Sequence, residues 1–195
     1  MIMSNMVMDC IHSRRSTREF LPDQIKDEEL EMLLEAAKWA PSGGNNQTWL
    51  FTAIQSKEKL MHLAKLVREA FLRWTPDDDY PGKFREKKRS ENEDHNFFYS
   101  VPTLIILSNV PNYQNAMADN SLALQNIFLA AESLGLGSCY INPIHWIEHD
   151  VPVREYLATL GIPKEHVITN AAAIGYKGKE FPAPARKENT VNIVR

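Results

Sequence analysis

Four apolar segments separated by stretches of helical spacing constrain the fold of this chain more than any other feature. Trp49-Leu50-Phe51-Thr52-Ala53-Ile54, Pro102-Thr103-Leu104-Ile105-Ile106-Leu107-Ser108, Ser138-Cys139-Tyr140-Ile141 and residues 166–174 each read as a buried strand. Residues 27–40 carry Leu30, Leu33, Leu34 and Ala37 at i, i+3, i+4 and i+7, the stripe of an amphipathic helix. Residues 57–72 repeat that spacing through Leu60, Leu63, Ala64 and Val67. Residues 117–134 form a long helical stretch with few charges, expected to be covered on most of its surface, and 153–160 a further helix. Pro41 closes the first helix, and Gly135 and Gly137 bracket the end of the long one. This alternation predicts an α/β or α+β sandwich around one sheet.

A chain of 195 residues, 44% apolar, can bury one sizeable core, so a single domain over 1–195 is expected. The net charge of −3 is spread along the sequence with no basic tail or long acidic block. No binding to nucleic acid or to an anionic membrane is expected from that pattern. Cys10 and Cys139 lie far apart and form no CxxC pair, which fits a reduced, cytoplasmic protein better than a disulfide-stapled one. The Met-rich start, MIMSNMVMDC, lacks the basic and apolar regions of a signal peptide. No uninterrupted apolar stretch approaches the ~20 residues needed to span a bilayer.

Residues 73–96 break the pattern. They hold Pro76, Asp77-Asp78-Asp79, Pro81-Gly82 and a dense charged run ending in Glu93-Asp94. The segment reads as a mobile loop plus a solvated helix, either a plain surface excursion or a candidate lid over a site.

Most familiar catalytic motifs are missing. There is no GxGxxG after a strand, no GxxxxGK[ST] phosphate loop and no GxSxG nucleophile elbow. His145 and His149 are four apart, but HWIEH is not HExxH, and two polar residues near Pro143 are the simpler account. Cys139 sits in an apolar strand and reads as core rather than nucleophile. What remains is a dense cationic cluster, Arg14-Arg15-Ser16-Thr17-Arg18, with a second pair, Arg186-Lys187, inside Pro182-Ala183-Pro184-Ala185-Arg186-Lys187. Arginine suits bidentate phosphate recognition and Ser16 adds a hydroxyl donor. The prolines hold the second segment extended. Spacing alone leaves open whether the clusters are exposed patches or meet at one phosphate.

Four landmarks, in order, resemble the nitroreductase family. Arg14-Arg15-Ser16-Thr17-Arg18-Glu19-Phe20 is similar to its opening R-[RH]-S-x-[RK]-x-F. Ala40-Pro41-Ser42-Gly43-Gly44-Asn45-Asn46-Gln47-Thr48-Trp49 resembles its APS-x-x-N-x-QPW signature. The long helix followed by Leu134-Gly135-Leu136-Gly137-Ser138-Cys139-Tyr140 resembles its LGLG strand entry. Ala172-Ala173-Ile174-Gly175-Tyr176, followed by Pro-rich sequence and Arg186-Lys187, completes the set.

The resemblance implies an α+β, three-layer sandwich with a central, mostly antiparallel sheet flanked by helices. It also implies a homodimer that binds FMN between protomers, with NADH or NADPH as transient electron donor. Arg14, Arg15 and Ser16 would hold the phosphate and ribityl chain, with Arg186 and Lys187 closing on the phosphate. Arg18 falls near flavin N1 and the C2 carbonyl, where a fixed cation stabilises the charge gained on reduction. Pro41, Ser42, Gly43 and Asn45 would come from the partner chain and contact the ring. Tyr140, Ile141, Asn142 and Pro143 align with the segment that covers one flavin face and directs a backbone N–H at N5.

Two positions depart from the family pattern. Pro143 stands where glycine is often found and has no N–H, so either Asn142 is the donor or the register shifts by one. Thr48 replaces a proline, which loosens the turn without removing a contact. The implied reaction is ping-pong electron transfer from NAD(P)H through flavin N5 to a small electron-poor acceptor such as a nitroaromatic or quinone, with no side-chain acid or nucleophile. An FMN storage or sensor protein, or a superfamily member that uses FMN for reductive dehalogenation or flavin fragmentation, remains as an alternative. The choice between NADH and NADPH, and the identity of the acceptor, are not legible in these residues.

Overall fold

The computed structural model describes residues 5–75 and 80–195. Pro76 and Asp77-Asp78-Asp79, part of the charged excursion, lie outside the described residues. The helices are α1 (Met6–Ser13), α2 (Asp27–Lys38), α3 (Lys57–Arg73), α4 (Pro81–Ser90), α5 (Ala116–Ser133), α6 (Pro143–Trp146) and α7 (Val151–Thr159). The strands are β1 (Trp49–Ile54), β2 (Thr103–Asn109), β3 (Leu136–Tyr140) and β4 (Val167–Tyr176). They form one four-stranded sheet in the order β1-β2-β4-β3, and every neighbouring pair is antiparallel.

Strand alternation divides the core into two layers. On β2, Leu104 and Ile106 face one side while Ile105 and Leu107 face the other; on β4, Ala171 and Ala173 oppose Ala172 and Ile174. The first side packs on α3, α6 and α7 through Leu63, Val67, Phe71, Ile144 and Leu157. The second packs on α2 and α5 through Leu33, Ala37, Leu124 and Ile127. Both faces of β2 and β4 are covered, so these central strands read as continuous apolar runs rather than alternating ones. The fold is the expected α+β three-layer sandwich.

The helix stripes seen in the sequence are the buried faces. Leu60, Leu63, Ala64 and Val67 of α3 are all buried, and Pro41 lies just beyond the end of α2. The long α5 buries Ala123, Leu124, Ile127 and Ala131, together with Asp119 and Asn120 near its N-terminus. It leaves Met117 and Leu122 exposed, so its cover within one protomer is incomplete. A polar chain runs from α5 to the sheet. Asn109 Nδ2 donates to Asn120 Oδ1 (3.1 Å), Asn120 Nδ2 to Thr169 Oγ1 (2.6 Å), and Thr169 Oγ1 to the Leu107 carbonyl (3.1 Å). Thr169 is the extra residue of a β-bulge, since Leu107 pairs with Asn170 and Ser108 with Ile168.

Two helices were not anticipated, α1 and α6. In α1, Asn5 Oδ1 caps the Met8 N–H at 3.0 Å, but the helix buries none of its side chains and so carries no inward-facing stripe.

Candidate functional site

The cationic segment is extended because it runs beside the end strand of the sheet. Ser16 bridges Ser138 in parallel, and the Thr17 N–H donates to the Ser138 carbonyl at 2.9 Å. Thr17 is buried, and a Cβ at Gly137 would come within 2.8 Å of its Cγ2. This glycine therefore permits the close approach that holds residues 14–18 against β3.

Extended backbone sends alternate side chains to opposite sides, which splits the arginine cluster. Arg15 and Thr17 line one cavity of about 170 Å³ together with Glu132 and Lys177. Arg15 Nη1 donates to the Arg14 carbonyl at 2.6 Å, while its Nε is buried without a hydrogen-bond partner. Arg14 and Arg18 lie on the Cys139 side. Burial pushes the Cys139 thiol up, and Arg18 and then Arg14 pull in the opposite direction. The Arg14 guanidinium also sits over the Phe128 ring, 5.7 Å from its centroid. A thiol kept protonated in the core is a packing residue, as the sequence suggested.

Arg18 opens onto a cavity of about 620 Å³ whose other wall includes Tyr140, Ile141, Asn142 and Pro143. Four of the residues predicted for one flavin face are thus gathered with the cation predicted for its N1 edge. Ile141 donates its N–H to the Ala171 carbonyl at 2.8 Å, and Asn142 precedes the short α6, its carbonyl accepting from the His145 N–H at 3.0 Å. Tyr140 is held by Asn170, whose Nδ2 donates to its hydroxyl at 2.6 Å. Burial raises the Tyr140 pKa, with the Asn170 bond lowering it and Tyr80 adding a smaller upward push. This phenol stays protonated at neutral pH.

The far wall comes from the charged excursion. Its helix α4 is one-sided: Gly82, Glu86 and Ser90, at i, i+4 and i+8, are buried. Gly82 leaves no room for a Cβ, which would meet Tyr80 at 2.6 Å and Trp146 at 2.8 Å. Phe97 and Phe98 anchor the segment's end, with Phe97 stacked on Phe71 at 5.4 Å. Arg85, Glu86, Arg89, His95, Tyr99 and Trp146 contribute to the cavity lining. Sequence reasoning assigned none of these six to the site. A stripe of Gly, Glu and Ser carries no hydropathy signal, so it could not be recognised as a buried face.

The loop before β1 is built separately. Gly44, Asn45 and Gln47 have positive φ of 60°, 58° and 51°. For Asn45 and Gln47 that is an uncommon backbone region which surrounding contacts must maintain. Ser42 closes the loop by accepting from Asn45 N through its carbonyl (2.9 Å) and from Gln47 N through Oγ (3.1 Å). Asp119, buried on α5, accepts the Gly43 N–H with both carboxylate oxygens at 3.1 Å. The Tyr113 hydroxyl lies 2.8 Å from Asp119 Oδ2 and 3.1 Å from the Gly43 carbonyl. Asp119 and Tyr113 are positioning residues that sequence reasoning missed; each is a lone polar residue outside the motifs. Thr48, the departure from proline, has a buried Oγ1 without a hydrogen-bond partner.

The loop of Pro41, Ser42, Gly43 and Asn45 is not part of the 620 Å³ lining. The strand register explains why. Trp49 pairs with Asn109, which pairs with Val167, while Tyr140 pairs with Ala172 farther along β4. The loop and the β3 exit therefore both face the same end of the sheet but lie on opposite edges, three strand spacings or roughly 14 Å apart across the sheet and further separated along it by the offset from Val167 to Ala172. Arg186 and Lys187 are exposed in the C-terminal segment. His145 is tied to the Ile168 carbonyl through Nδ1 at 2.6 Å, and His149 is exposed. Among the described residues, no three His, Cys, Asp or Glu side chains are grouped to hold a metal ion. No described helix is long and apolar enough to cross a membrane.

Both the sequence and the fold match known proteins. Residues 11–176 match the Nitroreductase family. A Bacteroides fragilis nitroreductase crystallised with bound FMN superposes with a TM-score of 0.91 at 37% identity, covering 98% of this chain and 100% of that one. An Archaeoglobus fulgidus protein described as an NADH dehydrogenase/NAD(P)H nitroreductase is 33% identical over 174 residues, 87% of this chain and 84% of that protein. The FMN reductase (NADPH) of Bacillus subtilis is 27% identical over 205 residues, covering 97% of this chain and 76% of that protein. The chain belongs to the nitroreductase family and is an oxidoreductase of that family.

Proposed function

We propose that this protein is an FMN-dependent NAD(P)H oxidoreductase that works as a homodimer and reduces small, planar, electron-poor acceptors of the nitroaromatic or quinone type. The observation that carries the reading is the 620 Å³ cavity that joins Arg18 to the segment Tyr140, Ile141, Asn142 and Pro143. The residues fit FMN by their chemistry. Arg14 and Arg18 face the same side of β3, where a phosphate and the reduced ring's anionic edge are the charges such a pair would balance. The B. fragilis relative binds FMN, and the relatives' names include both NAD(P)H and NADPH.

FMN supplies the two-electron chemistry when bound; the protein binds, orients and excludes water. Arg14 and Ser16 hold the phosphate and ribityl chain. Arg15, whose guanidinium turns to the smaller cavity, contributes through its backbone, and Arg186 and Lys187 close over the phosphate from the exposed C-terminal segment. Asn142 would be the residue to donate a backbone N–H towards N5, because Ile141 has committed its own to Ala171 and Pro143 has none. Tyr99, Tyr140 and Trp146 supply aromatic walls for a planar ligand. The partner's copy of the 41–45 loop completes the site, since this chain's own loop stands at the opposite sheet edge. The excursion carrying α4 acts as the lid of the single domain. Two free thiols, Cys10 and Cys139, suit the cytoplasm.

Steady-state NAD(P)H oxidation with a quinone, at several fixed acceptor concentrations, tests the reading. Parallel double-reciprocal lines are the expected result for donor and acceptor taking turns in one pocket. No turnover from FMN-loaded protein would leave a storage or sensor role, and turnover only as dehalogenation of a halogenated phenol would move the activity elsewhere in the superfamily.

A further inference from the structure

The cavity beside Arg18 is charged unequally. Its α4 wall presents Arg85 and Arg89 one turn apart, with Glu86 between them. Glu86 is 6% exposed; its Oε1 accepts from Arg89 Nη1 at 2.8 Å and lies 3.8 Å from Arg85 Nε. One buried carboxylate thereby orients two guanidiniums whose side chains remain 48% and 64% exposed. His95 stands 3.9 Å from the other Glu86 oxygen. Its burial favours the neutral ring, Glu86 opposes this, and Arg89 reinforces it. Among the described residues that line the cavity, three guanidiniums, Arg18 together with Arg85 and Arg89, face one carboxylate, with Tyr99, Tyr140 and Trp146 also in the lining.

That excess of positive charge is a recognition element. Arg18 is assigned to the flavin edge, which leaves the α4 pair free of a role in cofactor chemistry. Two forked donors one helical turn apart suit the two oxygens of a carboxylate, and their partial exposure places them where a ligand enters. We propose that Arg85 and Arg89 form an anion-recognition site at the mouth of the cavity, selecting acceptors that carry a carboxylate on the planar ring. The proposal rests on the reading of this cavity as the acceptor pocket. A phosphate of the nicotinamide donor has the same chemistry, and the test separates the two sources.

The test is calorimetric titration of the FMN-loaded protein with benzoate and with benzamide, a planar pair that differs in charge and is not reduced. Benzoate is expected to bind tighter by about tenfold or more, the scale of a charge-assisted contact. The R85Q/R89Q variant should bring the two ligands to within about twofold. Arg85→Glu, made on an exposed side chain that poses no threat to folding, should favour benzamide over benzoate. Equal binding by the unmodified protein, or a preference that survives all three substitutions, overturns the site. A rise in KM for NADH or NADPH in these variants, with the benzoate preference intact, identifies the donor phosphate as the anion and overturns the acceptor assignment. Reduction of menadione, a neutral quinone, reports separately on the enzyme reading: turnover without benzoate preference removes the anion site alone, and benzoate preference without turnover removes the proposed activity alone.

Discussion

Arg14 and Arg18 share a side of β3 because they are four residues apart on an extended segment, while Arg15 between them points away. If Arg14 holds the phosphate as proposed, removing it takes away a charge-assisted contact worth about 1.5–3 kcal/mol. Arg14→Ala should therefore weaken FMN binding by roughly tenfold or more, read by flavin-fluorescence titration. Unchanged affinity would remove Arg14 from the site. His95 offers a second check at this scale. Its pKa lies below the ordinary histidine value, with burial the largest cause and Glu86 working against it. In the folded protein the ring should titrate below about 6.5 by NMR. The unfolded chain then binds the proton more readily, so His95 subtracts stability as pH falls through the unfolded value towards the folded one. Glu86→Gln removes the upward pull and should lower the midpoint further; a midpoint that rises contradicts the assignment of neighbours.

At the scale of elements, the loop of residues 41–47 and the helix α4 show what a sequence does and does not disclose. The loop was legible because its motif is made of small residues with a specific duty. A Cβ on Gly43 would fall 2.2 Å from Asn115 Nδ2 and 2.7 Å from the Tyr113 hydroxyl. Gly43→Ala should cost about 1–3 kcal/mol in thermal unfolding, the usual penalty of overpacking a tight contact. Asp119→Ala should cost a comparable ~1–3 kcal/mol by leaving the Gly43 N–H without its acceptor. Wild-type stability in both would mean the loop is not clamped as described. The clamp itself was illegible, since Asp119 and Tyr113 meet Gly43 only across 76 and 70 residues of chain. The strands and long helices were legible because apolar period and burial coincide in them, as in Leu104 to Leu107. In α4 they do not coincide, because its buried stripe is Gly82, Glu86 and Ser90. The bulge at Thr169 was hidden for a related reason, an extra residue leaving no mark on composition.

The whole molecule carries evidence of a missing surface. In α1, Met6, Val7 and Ile11 are 80%, 62% and 42% exposed, and Met117 and Leu122 of the neighbouring α5 are 40% and 46% exposed. Exposed apolar side chains concentrated on two packed helices point to an association site. It also explains why α1 escaped a reading based on inward-facing stripes. Four of the fourteen residues assigned to the flavin, Pro41, Ser42, Gly43 and Asn45, stand at the sheet edge opposite the cavity of their own protomer. Light scattering should give a dimer at working concentration, and a monomer that retains FMN tightly contradicts a shared site. The expectations for the site itself depend on the cofactor. The most direct measurement is the absorbance spectrum of the purified protein, with the chromophore identified after denaturation. A flavin spectrum with FMN released, bleached anaerobically by NADH or NADPH, is the predicted result. A colourless protein that also fails to take up added FMN would mean that the fold is present without its flavin site.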